Sequence, residues 1–569
     1  MKRYVFVLLT LVTITNLSNA QGVGIGTSTP DASAILEIKS GTKGILLPRT
    51  STTSRNSIIN PAKGLILYDS TTSGFWFHSG SAWVQLSTGN NSWSLTGNST
   101  TNPAINFIGT TDDQPLRFRV NNTWAGEINP TNLNVFFGSD AGNLSTTGQA
   151  NSAFGDHALF ALTDGNFNSA NGYLALTANT MGYNNTAHGA YSLYNNTFGY
   201  SNTAIGRNAL FANTTGSLNT AVGTDALLAN TGSYNSATGY QAAYSNTSGS
   251  FNTANGCVAL YANTGGSYNT ANGYQALNHN ITGLYNTASG LAALYFNKDG
   301  LYNTADGNNA LYNNNGSYNT ANGNKALYNN SAGHDNTGIG NNALSENFDG
   351  NFNTAIGSSA LLANQYGYNN TAIGYLALAS NGNGYNNTAV GYAADISGVV
   401  INATAIGSGA VANASNKVRI GNSSVTVIEG QVAYSFPSDA RFKYNIKSNV
   451  PGLDFVEKLT PITYYFDDEK LDAYSKTGII NNKISSSFDT NKEQLHTGFL
   501  AQDVEKIAKE LGYEFDGVHP PANDKDHYSL AYSQFIMPLV KAVQEQQVII
   551  EDLKKEMNEM KAEILQLKK

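Results

Sequence analysis

Seventeen times between Asn134 and Gly421 the chain returns to a phrase close to Asn-Ser/Thr-Ala-x-Gly. Fifteen clear copies start at positions from Asn151 to Asn387. Twelve of the fourteen steps between them are 17 residues, and the other two, Asn219 to Asn235 and Asn303 to Asn319, are 16. A fixed period of this length specifies stacked like units in place of one globular core. In the unit that starts at Asn202, Ala204 and Gly206 alternate with Thr203 and Ile205, so one face of a short strand carries only tiny side chains. Ala209-Leu210 supplies a second inward contact, and Asn213 to Gly216 has turn chemistry. The expected coil is narrow and gains stability by pairing its backbone with coils ~4.8 Å above and below. So thin an interior is expected to bundle with copies of itself.

Eight units place an aromatic just before the repeat Asn: Phe167, Tyr234, Phe251, Tyr268, Tyr285, Tyr302, Tyr318 and Phe352. Stacked coils would turn these into a ladder, serving either as packing or as an exposed glycan-binding strip. The recurring Asn suits turns and hydrogen-bonded ladders. A regular Asp of the calcium-binding nonapeptide type is missing, so no metal is expected, and no cofactor either.

Of the 569 residues only 12 % are charged, and the net charge of −8 carries no basic patch that would suit nucleic acid. Residues 1–20 read as a secretory leader: Lys2 and Arg3, an apolar run from Val5 to Ile14, then Ser18-Asn19-Ala20 as a cleavage site. The run is too short to span a membrane, and the mature chain is expected to be secreted or at the cell surface without a membrane span. Cys257 is the sole cysteine, which rules out a disulfide within the chain. Residues 21–133 form a β-rich head region with short strand-like runs, such as Ile45 to Leu47 and Gly64 to Tyr68. Its opening Gly22-Val23-Gly24-Ile25-Gly26-Thr27 resembles the head regions of secreted bacterial fibre proteins. The repeats fill 134–434, a charged α+β region fills 435–535, and a terminal helix fills 536–569.

The repeat tract resembles the left-handed parallel β-rolls of trimeric autotransporter adhesins, best at Thr404-Ala405-Ile406-Gly407-Ser408-Gly409-Ala410 and Val418-Arg419-Ile420-Gly421. Two later phrases, Ser438-Asp439-Ala440-Arg441-Phe442-Lys443-Tyr444-Asn445-Ile446 and His496-Thr497-Gly498-Phe499-Leu500-Ala501-Gln502-Asp503, resemble the intramolecular chaperone auto-processing domain of phage tail spikes and endosialidases. The resemblance implies a domain that trimerises the β-rich stalk before it and then cuts the bond between Pro437 and Ser438. It makes Ser438 the nucleophile, Lys443 its base and His496 a further site residue. This would be one self-cleavage per chain, not multi-turnover catalysis.

The tail repeats apolar residues with 4-3 spacing. Ile536, Val543, Ile550, Met557 and Ile564 alternate with Leu539, Gln546, Leu553, Met560 and Leu567, as in a coiled coil. The expected fold is thus mostly β: a trimeric parallel β-roll or solenoid stalk, a small α+β chaperone domain and a coiled-coil helix. The expected function is an adhesin-like structural fibre partnered by itself as a homotrimer, with a surface glycan or host-cell molecule as a candidate ligand. The alternative is a carbohydrate-binding or carbohydrate-active tail-spike-like protein. A glycosidase needs paired carboxylates, and the tract offers only scattered acids such as Asp225, Asp306 and Asp395.

Overall fold

A computed structural model describes residues 22–86, 97–432, 434–475 and 494–568. The leader read at 1–20 lies outside the described residues. The chain divides into two compact units, residues 1–109 and 110–569.

In the first unit Val23–Ile25 pairs in parallel with Leu36–Ile38. A second sheet runs Arg49–Thr50, Ile66–Asp69, Gly74–His78, Trp83–Gln85; its first pair is parallel and the others antiparallel. It is centred on an ion pair, Arg55 to Asp69 at 3.1 Å, with the guanidinium 3.5 Å from the Trp76 ring centroid. Burial works against the Asp69 charge, but hydrogen bonds from Thr52, Thr71 and Thr72 and the Arg55 charge outweigh it and hold its carboxyl below the usual range. The strand expected at Ile45–Leu47 does not form. That run stays unpaired with Ile45 and Leu46 exposed, because apolar residues without a partner strand have nothing to pair with.

The second unit is dominated by a parallel β-solenoid. A hairpin, Leu116–Val120 with Thr123–Asn129, leads antiparallel into Asn134–Phe137. From there every rung pairs in parallel with the next through to Val418–Ile420, with Ala on Ala except where Phe136, Gly338 and Arg419 take the Ala position. The cross-section follows from the repeat. In the Asn202 unit Asn202, Ala204, Ala209, Leu210 and Asn213 are all fully buried. The phrase ends in glycine because Gly206 sits at φ 129°, where a Cβ would meet the Gly223 carbonyl oxygen of the next rung.

The buried asparagines make the coil specific. Asn202 Nδ2 donates to Asn185 Oδ1 at 3.2 Å and to the Gly216 carbonyl at 2.9 Å, while its backbone N–H donates to the same Asn185 oxygen at 3.0 Å. A second row stacks beside it: Asn213 Nδ2 donates to Asn196 Oδ1 at 2.8 Å and to the Gly216 carbonyl at 2.9 Å. Both 16-residue steps are absorbed in the bend after this second Asn. Asn230 and Asn314 bond to a glycine two residues on, where Asn213 and its equivalents reach three. The strands therefore keep their register.

Near the end of the solenoid the interior admits one acid. Asp395 is 3 % exposed, and among the described residues no ion pair reaches it. Burial pushes its carboxyl up to about 6, against the pull of hydrogen bonds from Ile396 and Ser380. The folded state therefore binds a proton that the unfolded chain, near 3.8, releases. The penalty of the buried charge is complete above pH 6 and is relieved as pH falls from about 6 towards 4. Asp395→Asn should raise stability at pH 7.5 by on the order of 3 kcal/mol and flatten its pH dependence between those limits. Thermal melts of parent and variant at pH 5 and 7.5 check this; an equal gap at both would refute it.

After the solenoid comes a small α+β domain. Ile462–Tyr465 pairs antiparallel with Leu495–Gly498, and helices occupy Leu453–Val456, Asp468–Ser475 and Ala501–Glu510. Phe455, Val504, Ala508, Phe515 and Phe535 form its core. The chain ends in a 32-residue helix, Ile536–Leu567.

Candidate self-cleavage site

Ser438 lies on an exposed strap between the last coil and the α+β domain. Asp439 caps a single 3-10 turn, Ala440–Phe442, by accepting the Arg441 backbone N–H at 2.9 Å. That turn reverses the chain enough to bring Lys443 Nζ to 2.7 Å from Ser438 Oγ. In this geometry the amine donates to the hydroxyl, so catalysis needs the proton to move the other way.

The Arg441 guanidinium closes on the Asp439 carboxylate, Nη2 to Oδ2 at 2.6 Å. Those hydrogen bonds keep the Asp439 carboxyl below its ordinary range. The two charges beside the dyad thus offset one another, and neither faces the lysine alone. His496 is placed elsewhere: it is half-buried on Leu495–Gly498, opposite Tyr464, with the two rings stacked at 5.6 Å. Among the described residues no hydrogen bond or ion pair joins it to Ser438 or Lys443.

Six of the eight aromatics form a continuous stack, while Phe352 meets His334 edge-on instead. Tyr234, Phe251, Tyr268, Tyr285, Tyr302 and Tyr318 follow one another at 4.7 to 5.2 Å with rings within 7° of parallel. A second stack, Tyr295, Tyr312 and Tyr328, runs at 5.1 and 5.2 Å. Each ring face is covered by its neighbour. A sugar stacks on an open ring face, so these rows offer it only edges. The acids converge no better. Asp225, Asp306 and Asp395 belong to rungs five apart, which at ~4.8 Å per rung puts them far beyond the ~9.5 Å limit for a glycosidase pair.

The terminal helix has a different use. Ile536, Leu539, Val543, Ile550, Leu553, Met557, Met560 and Ile564 are all exposed along it, forming an apolar seam. Such a seam marks an association surface.

Residues 438–513 match the family model described as chaperone of endosialidase, and residues 24–102 match that described as phage tail like trimerisation region. Over those two stretches the chain is similar to the two families. No curated protein matches it. The C-terminal match begins at Ser438, the first residue of the phrase on which the resemblance was read. The N-terminal match adds a self-association region that sequence reading left without a role; its exposed Val23, Ile25, Ile35, Leu46 and Ile59 were the available signal. The N-terminal match supports self-association. No helix among the described residues is long and apolar enough to cross a membrane.

Proposed function

We propose that the protein is an exported, adhesin-like homotrimeric fibre whose C-terminal domain gathers three chains and then cuts itself away once, between Pro437 and Ser438. The leader-like residues 1–20 support export to the outside or the cell surface. The observation that carries the reading is the exposed 4-3 seam on Ile536–Leu567, with a trimerisation match at the other end of the chain. The physical need is kinetic. Rungs this alike can pair out of register, and non-local β pairing is slow. A coil that gathers the chains first aligns them before the solenoids zip.

Lys443 and Ser438 supply the chemistry of release. An amine takes a proton only when neutral, which desolvation favours. The strap is exposed in a single chain, so covering by neighbouring copies is the step that would take the dyad out of water and time the cut after assembly.

Sedimentation equilibrium of the full chain tests the assembly. It should give three times the chain mass, and Ile550→Glu with Leu553→Glu should lower that mass at equal loading. A folded parent that sediments as one chain would end the proposal.

A further inference from the structure

The last coil of the solenoid and the chaperone domain are joined twice. One link is the covalent strap, exposed almost throughout from Ser424 to Asn449, which contains the Pro437–Ser438 bond. The other is a polar contact between residues more than a hundred positions apart. Lys417 Nζ donates to Asp526 Oδ1 at 2.7 Å and to Asn413 Oδ1 at 2.9 Å. Asn413 Nδ2 donates to the Lys525 carbonyl at 2.6 Å, and Asn523 Nδ2 returns a bond to the Asn413 carbonyl at 2.9 Å.

This contact is built, not incidental. Asn413 and Asp526 are both buried. The Asp526 oxygens also accept the backbone N–H groups of Ala522 and His527 at 3.1 and 2.9 Å, which orders the loop before it docks. Burial opposes the Asp526 charge, but Lys417 and those backbone bonds outweigh it and hold its carboxyl below the usual range. Asp526 therefore carries its charge at neutral pH, and leaving a buried charge without its partner is costly.

We infer that the Ala522–His527 loop is a docking surface for the final coil, Asn413–Lys417, so that cutting the strap does not release the chaperone domain and departure is a separate, salt-dependent step. The timing rests on the proposed self-cleavage; the contact does not. In a trimer the three loops would act together and raise the effective affinity well beyond that of one.

The test places a recognition sequence for a site-specific protease in the strap near Gly430, in the full chain carrying Ser438→Ala. The strap can then be cut at will, whether or not Ser438 acts. After cutting, both fragments should co-elute on size exclusion at about 50 mM salt and part at about 1 M, as screening of the Lys417–Asp526 pair requires. Lys417→Met or Asp526→Asn should speed dissociation about tenfold or more at low salt. Fragments of the parent that separate at once in low salt would overturn the inference, as would a Lys417→Met protein that stays together like the parent. A failure of the self-cleavage reading shows separately, as a Ser438 parent that is never cut.

Discussion

Asn269→Ala should open the solenoid at its middle. The side chain holds three separate groups in place: its Nδ2 serves the Gly283 carbonyl at 2.8 Å, and its Oδ1 takes the Asn286 backbone N–H at 3.0 Å and the Asn286 amide at 3.2 Å. All lie in a dry interior, so alanine would leave the Asn286 N–H with no partner and no water, while the Gly283 carbonyl would keep only its bond from Asn280 Nδ2 at 3.1 Å. The buried orphan costs ~1–3 kcal/mol and the two further bonds, to the Gly283 carbonyl and from the Asn286 amide, ~1 kcal/mol each, which puts the loss at roughly 3–5 kcal/mol. In a stacked array that loss falls on the rungs beside it and not on the whole molecule. Amide hydrogen exchange should therefore rise by several hundredfold or more around residues 252–303 and stay near parent values around residues 151–202. Asn272→Ala, at an exposed position on the same rung, is the control and should change little. Uniformly faster exchange along the tract would mean that the coil melts as one body and that the amide row is not a local clamp.

What could be read ahead of the structure follows from which forces leave a trace in residue type. Ala204 and Gly206 announce themselves because only small residues fit where rungs touch, and the Asn at the head of the phrase is visible as an invariant of the period. The second amide row is less visible. Asn213 is followed by turn-forming residues, so its local chemistry reads as a bend, while its actual partner, Asn196, lies one whole rung away. The left-handed backbone at Leu210 (φ 54°) and Tyr268 (φ 60°) leaves no trace at all. Neither residue type favours that region, which costs about 1 kcal/mol or more, and it is imposed by the ladders on either side. The Ser438–Lys443 proximity was legible as a five-residue spacing, yet the turn that realises it depends on Asp439 as a cap, a role that the phrase alone does not display. His496 shows the reverse: its phrase helped reveal the domain, but a single chain stacks it on Tyr464.

Ser438→Ala should abolish the separation of the chain into two pieces on a denaturing gel, leaving one full-length band where the parent gives two. In the proposed reaction Lys443, once neutral and 2.7 Å away, would take the Ser438 hydroxyl proton as Oγ attacks the Pro437 carbonyl carbon. The C–N bond breaks, the proton passes from Lys443 to the departing Ser438 nitrogen, and Pro437 is left as an ester on Oγ. Water then hydrolyses that ester and completes the cut. Lys443→Met should slow the cut by ~10²-fold or more, the usual contribution of a positioned base. Lys443→Arg should not rescue it, because a guanidinium does not give up its proton near neutrality. The ester distinguishes this route from trimming by a contaminating protease. Hydroxylamine should accelerate cleavage of the parent and leave a hydroxamate on Pro437, since it attacks esters far faster than amides. Because Ser438 and Lys443 are exposed in one chain, the seam variant Ile550→Glu with Leu553→Glu should also stay uncut, although its dyad is unaltered. If that variant were cut at the parental rate, burial by neighbouring copies could not be what activates the lysine, and cleavage would have to be a property of the single chain.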